Sequence, residues 1–224
     1  MQQMLLNIST QTPPTLDTFV PGNNVELMHV LRQFGLRSAH EHFAYIWGES
    51  AVGKTHLLQA LALNTAARYI DAGANADAFV FDEAITLYLL DDCDKLTPEL
   101  QIAAFNLFNQ TRESGGYLVT AGSTLPASLP VRDDLRSRMS WGLVYRVHGL
   151  TDDEKMAALE NMAKERGLLL SQGVIPYLIT HYRRDMHSLS VILDALDRYS
   201  LETQRAITLP LLLSLLQRDT ETQP

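Results

Sequence analysis

Residues 43 to 58 read FAYIWGESAVGKTHLL. The apolar run ending at Trp47 is short and rich in aromatic and branched side chains, which reads as a buried strand. From Lys54 onward apolar residues return at helical spacing. Between the two, Gly48 to Thr55 matches G-x-x-x-x-G-K-T. Glycines in such a loop let backbone N–H groups wrap phosphate oxygens, and the following helix adds the positive end of its dipole. In that frame Gly48 and Gly53 shape the loop, Lys54 would reach the β- and γ-phosphates, and the Thr55 hydroxyl would bind Mg²⁺. His56 is the next residue on the same helix turn and belongs with the candidate nucleotide contacts.

The rest of the chain is consistent with a nucleotide-binding α/β protein. Its 224 residues suffice for one large or two small domains. With 46% hydrophobic and 20% charged residues, it has the composition of an ordinary globular protein. The formal net charge of -8 argues against a protein that coats duplex DNA. Cys93 is the single cysteine, which excludes an internal disulfide and a multi-cysteine metal site and suits a reducing cytoplasm. The first residues, MQQMLLNIST, have no positive leader. No stretch approaches the roughly 18 apolar residues a membrane span needs.

Working outward, residues 1 to 16 read as an extended tail. Residues 24 to 36 form a helix, with Asn23 or Asn24 as a possible cap. Helix and strand then alternate: HFAYIW as strand, KTHLLQALALNTAA as helix, RYIDA as strand, a loop over residues 72 to 85, and TLYLLDD as strand. TPELQIAAFNLFNQTRESGG is a helix with Thr97 as cap, Pro98 first and glycines at its end. YLVTAGS is a strand, PVRDDLRSRMSW loop plus short helix, and GLVYRVHGL a last strand. This alternation predicts a mainly parallel sheet over residues 17 to 150. After Leu150 the pattern is helical throughout, and Met186, Leu189, Leu193 and Leu196 share one stripe. Residues 151 to 224 are therefore expected to form a small all-helical domain.

Phosphate chemistry asks for carboxylates on a neighbouring strand, and LYLLDD supplies them. Asp91 would hold Mg²⁺ through water, and Asp92 stands where P-loop ATPases keep the residue that polarises the attacking water. Equally, Asp92, Asp94 and Lys95 would serve merely to cap the loop. Thr120 and Ser123 end the next strand, where either would orient water or touch a γ-phosphate. Arg136 and Arg138 lie far along the chain from the loop. Either would complete a neighbour's site as an arginine finger does, or form a surface ion pair with Asp133 or Asp134.

Taken in order, FVPGNN, GESAVGKTHLL, LYLLDD, FNLFNQTRESG, AGSTLP, LRSRMSWGLVY and MHSLSVILDALDR resemble the AAA+ module of the bacterial replication initiator DnaA. Within that group the chain looks most similar to the Hda proteins, DnaA-related regulators that inactivate the initiator. The resemblance covers nearly the whole sequence, and SRMSWGL is its most specific part. Three features favour the regulator. The sequence ends in helical-lid residues without a helix-turn-helix for duplex DNA. The connection before the aspartates is short. QMLLNI is similar to the family's N-terminal peptide for the DNA polymerase III sliding clamp, in which Gln3, Leu6 and Ile8 would fill the cleft.

The resemblance implies a fold, an AAA+ α/β domain plus helical lid, and a function. Holding ADP or ATP with Mg²⁺, such a protein docks on the DNA-loaded clamp and touches DNA only through it. It presents the arginine matching Arg138 to the ATP held by DnaA and so promotes its hydrolysis in the partner's site. Phe19, Val20 and Asn24 would contact the base. His187 stands where the lid usually carries a sensor arginine, with Arg184 one turn earlier as a substitute. The intact Lys54 and Thr55 keep intrinsic ATPase activity open, and head-to-tail stacking would give a homo-oligomer. Two rivals are an independent P-loop ATPase and a helicase-loader-like protein, the latter disfavoured by the acidic charge.

Overall fold

Strand β1, Phe43–Trp47, is buried on both faces. Tyr45 points into one hydrophobic cluster, while Ala44 and Ile46 point into another. The computed structural model describes residues 13–63, 66–182, 185–203 and 206–220. Gln3, Leu6 and Ile8 of the tail, and Arg183 and Arg184, lie outside the described residues. The chain divides into two compact units, Met1–Val147 and His148–Pro224.

In the first unit, helix α1 (Val25–Leu36) precedes β1, and α2 (Lys54–Ala62) follows the glycine loop. Then come β2 (Ala67–Ile70), β3 (Leu87–Leu90), α3 (Pro98–Glu113), β4 (Tyr117–Gly122), α4 (Asp133–Met139) and β5 (Leu143–Arg146). The five strands pair in the order β2-β3-β4-β1-β5, every pair parallel. β4 thus lies between the loop-bearing β1 and the carboxylate-bearing β3. Side chains alternate across the sheet. Leu87 and Leu89 of β3 join the cluster made by Leu31 and Phe34 of α1 and Leu57 and Leu58 of α2. Tyr88 and Leu90 join the cluster of Leu107 and Phe108 of α3 and Leu135 of α4. Two helical layers therefore enclose the sheet, as parallel strands require.

Local chemistry sets the boundaries. Thr97 accepts the Leu100 amide at 3.3 Å and starts α3 with Pro98 in place. α1 stops at Arg37, which takes a left-handed φ of 57°. Its guanidinium donates to the carbonyls of Phe34, Gly35 and Ala66 and to the Thr86 hydroxyl. Three expectations need correction. Asn24 occupies the cap position of α1, but its side-chain amide donates to the Pro21 carbonyl at 2.9 Å and makes no cap bond. The helix after the loop ends at Ala62, because Ala67 pairs with Leu87 in the sheet. The last strand shrinks to Leu143–Arg146, which at the sheet edge pairs only with Ala44 to Trp47 of β1.

The second unit is all helical: α5 (Asp152–Glu165), α6 (Val174–His181), α7 (Met186–Thr203) and α8 (Leu209–Thr220). A capping box opens α5, Thr151 and Glu154 each bonding the other's backbone. Leu189, Leu193 and Leu196 of α7 are buried, with Met186 packed at the margin of the same core. None of the described helices is long and apolar enough to cross a membrane.

Leu89 is fully buried in the central sheet. Replacing it with alanine is expected to cost the α/β unit about 2–5 kcal/mol, because the cavity adds to the lost transfer energy. Denaturant unfolding checks this: the midpoint falls while the slope stays unchanged.

Candidate functional site

The glycine loop leaves β1 at Trp47 and enters α2 at Lys54. Gly53 caps that helix at φ 101°, where a side chain would be strained and its Cβ would lie 2.7 Å from the Phe19 ring. Ala51 is held at φ 63°, a costly conformation that persists only where surroundings over-determine it. Gly48 is buried.

Lys54 is only 9% exposed. Its ammonium donates to the carbonyls of Gly48 and Glu49, both at 2.7 Å. Burial pulls its pKa below the ordinary lysine value, an effect the carboxylates of Asp91, Asp92 and Asp94 partly offset. The loop cation and the three carboxylates, separated by more than thirty positions in sequence, are thus brought into one electrostatic cluster.

Asp91 follows β3 directly and is buried. Its Oδ2 accepts the Tyr69 hydroxyl and its Oδ1 the Asp92 amide, each at 2.9 Å. Burial and the Asp91 charge push the Tyr69 pKa up, so this donor keeps its proton at neutral pH. Asp92 sits at φ 48° with its carboxylate on Lys95 at 2.6 Å. Asp94 accepts both the amide and the hydroxyl of Ser123 at 3.1 Å. Thr120 is buried in β4, its hydroxyl 3.4 Å from the Ala44 carbonyl. These contacts are of the kind that cap a loop. To act on a phosphate, Asp92 would have to leave Lys95, and Ser123 would have to leave Asp94.

Thr55 is exposed on the first turn of α2. His56 turns toward the preceding segment, its Nε2 lying 3.0 Å from the Thr15 carbonyl and 3.4 Å from the Thr18 hydroxyl. Its ring also stands 5.8 Å from that of Phe19. His56 therefore pins residues 15 to 19 against α2 and sets Phe19 beside Gly53. Val20 is half-buried and Asn24 buried just beyond. His187 belongs to α7 in the second unit, and its side chain is not among the described groups.

Among the described residues, no group of three or more His, Cys, Asp or Glu is placed to hold a metal on its own. A Mg²⁺ carried on phosphate oxygens needs less protein: one hydroxyl and one carboxylate with several waters. Thr55 and Asp91 fit that donor set.

Arg138 makes no ion pair with Asp133 or Asp134. Those carboxylates pair with Arg136 at 3.0 Å and Arg132 at 2.8 Å. Instead, Arg138 donates from Nε to the Asn109 side chain at 3.0 Å, and its guanidinium carbon lies 4.0 Å from the Trp141 ring centre. Trp141 in turn meets Phe43, at the start of β1, edge-on. The glycine loop leaves the other end of β1. Five residues of strand separate the two ends by roughly 13 Å, so Arg138 and the loop of its own chain stand at opposite ends of the strands.

Sequence reading grouped Asp94 and Lys95 with Asp92 as loop caps, but it did not single out Tyr69 as the partner of Asp91, Asp94 as the partner of Ser123 or Asn109 as the partner of Arg138. One signal was available: Trp141 lies three residues after Arg138 within SRMSWGL, and in the structure the chain turns just past α4 to bring it back over Arg138.

The family model described as "Hda, lid domain" matches residues 152–216. A protein of Haemophilus influenzae, described only as uncharacterized, is 35% identical over 225 residues, covering 93% of this chain and 96% of its own. Among solved structures, domain III of the Thermotoga maritima replication initiation protein DnaA matches with TM-score 0.73 and 21% identity, over 91% of this chain and 95% of that one. AMPPCP-bound DnaA from Aquifex aeolicus matches at TM-score 0.68 and 23% identity, over 84% and 66%. The Thermotoga maritima RuvB branch migration motor matches at TM-score 0.64 and 16% identity, over 92% and 72%. At such identities the shared property is the fold.

Tyr45, Tyr69 and Tyr88 all have pKa values raised above the ordinary 10.0, chiefly by burial. A raised folded-state value contributes stability that is complete below the unfolded value and lost as pH climbs toward the folded one. The α/β unit is therefore expected to weaken progressively above pH 10.0. Urea unfolding at stepped pH checks this. Tyr69→Phe, about 1–3 kcal/mol less stable at neutral pH from the lost donor to Asp91, should show a flatter alkaline decline.

Proposed function

The chain belongs to the Hda-like, DnaA-related AAA+ proteins, and from that premise we propose that it is a nucleotide-dependent regulator that promotes ATP hydrolysis by DnaA. In this reading Gly48, Gly53, Lys54 and Thr55 hold the phosphates of ADP or ATP, with Mg²⁺ between Thr55 and Asp91. Phe19, Val20 and Asn24 border the base. The AMPPCP-bound relative supports an adenine nucleotide at this loop. Gln3, Leu6 and Ile8 dock on the sliding clamp, so that DNA is met only through the clamp, in the cytoplasm.

The observation that carries the reading is the position of Arg138. It stands at the end of the strands opposite its own phosphate loop, and no acid among the described residues neutralises it. A guanidinium so placed serves a nucleotide bound to another molecule, where it stabilises charge developing on the transferred phosphoryl group. The engagement of Asp92 by Lys95 and of Ser123 by Asp94 fits a slow intrinsic ATPase. The same Arg138 edge would let copies of this chain stack head to tail.

The test is ATP hydrolysis by the cognate initiator, with and without this protein and clamp-loaded DNA. Stimulation is expected only when both are present. Arg138→Ala should lower the stimulated rate by about three orders of magnitude, and deletion of residues 1 to 8 should abolish the stimulation. Stimulated hydrolysis that survives Arg138→Ala would remove the finger from the mechanism.

Lys54→Ala should abolish binding of a fluorescent adenine nucleotide, followed by anisotropy, without unfolding the chain. Lys95→Ala, which releases Asp92, should raise this protein's own ATP turnover, measured without initiator. An unchanged turnover would show that the Asp92 ion pair is not what restrains it.

A further inference from the structure

Where α3 and α4 meet, one indole receives two cations. The Arg138 guanidinium carbon lies 4.0 Å from the Trp141 ring centre and that of Arg112 lies 4.5 Å from it. Phe105 adds a second ring at 5.1 Å from Arg138. Trp141 is itself held firmly. Its amide donates to the Arg138 carbonyl at 3.0 Å, and its ring stands at 80° to Phe43 with centres 6.1 Å apart. The next residue, Gly142, turns at φ 70° with the Phe43 carbonyl filling the place of a Cβ.

Arg138 has four side-chain torsions, and one hydrogen bond from Nε to Asn109 does not fix its plane. The aromatic face does. Such a face attracts a guanidinium through the ring quadrupole and favours its flat face against the ring. It also leaves the charge unneutralised, which a carboxylate would not. Both Nη groups of Arg138 remain without a hydrogen-bond partner among the described residues.

We propose that Trp141 is the positioning residue for Arg138, holding the guanidinium in one plane with its Nη groups available to the polyphosphate of a neighbouring subunit's nucleotide. This rests on the reading of Arg138 as acting on another molecule's nucleotide.

The experiment compares Trp141→Leu, Trp141→Phe and Arg138→Ala in the full chain. The readouts are melting temperature, the protein concentration giving half-maximal stimulation of initiator ATP hydrolysis, and the stimulated rate at saturation. Trp141→Leu keeps apolar contact with Phe43 but has no π face. It is expected to lower the saturating rate by about 3- to 30-fold at unchanged half-saturation and melting temperature. Trp141→Phe restores most of the rate. A Trp141→Leu rate within twofold of the parent overturns the proposal, as does a loss in both Trp141 variants that tracks a fall in melting temperature. If Arg138→Ala abolishes stimulation and Trp141→Leu does not, only the positioning role fails. If Arg138→Ala stimulates normally, the trans-acting reading fails with it.

Discussion

All five strands of the α/β unit run the same way, and that constraint sets the position of every chemical group in it. Parallel pairing obliges the chain to return over a face of the sheet between strands, so α1 and α2 cover one side and α3 and α4 the other. It also gives the sheet two unlike edges. Strand ends carry the glycine loop, Asp91 and Ser123. Strand starts carry Phe43, with Trp141 edge-on to it and Arg138 over the Trp141 ring. No side-chain rotation converts one edge into the other. The phosphate loop and Arg138 therefore face opposite ends of the strands, the separation on which the proposed trans-acting role rests.

Much of this was legible in the sequence, because the signals were local. The glycine–lysine–threonine frame needs a strand before it and a helix after it, and both are there. The Thr97–Pro98 start of α3 rests on a side chain that bonds its own backbone within a turn. The stripe of Leu189, Leu193 and Leu196 announced a buried helix face. Boundaries failed where tertiary pairing overrode local preference. Ala67 has good helix propensity yet sits opposite Leu87 in the sheet, and the last strand ends where β1 offers no further partner.

Pairings between distant residues were not legible. Asp91 could be named from its place after LYLL, but nothing in the chain announced that Tyr69 would donate to it from the next strand. Ser123 was a candidate because it ends a strand, and Asp94 was a loop acid. That the two bind each other depends on β4 lying between β1 and β3. His56 seemed one more nucleotide contact by adjacency. In the structure it faces Thr15, because successive residues on a helix point about 100° apart.

The company Arg138 keeps has a consequence for how quickly it can be used. An arginine held by a carboxylate must break an ion pair before it can meet a new anion, and the abandoned acid then repels that anion. Arg138 lies on an indole and beside an amide. In the proposed role, its hand-over to phosphate would strand no counter-charge. Such an exchange would be one-sided, with no ion pair to break before the phosphate is met and none to re-form after it departs. Such a group is suited to repeated short encounters with many copies of a partner, because each visit begins and ends with the same resting contact.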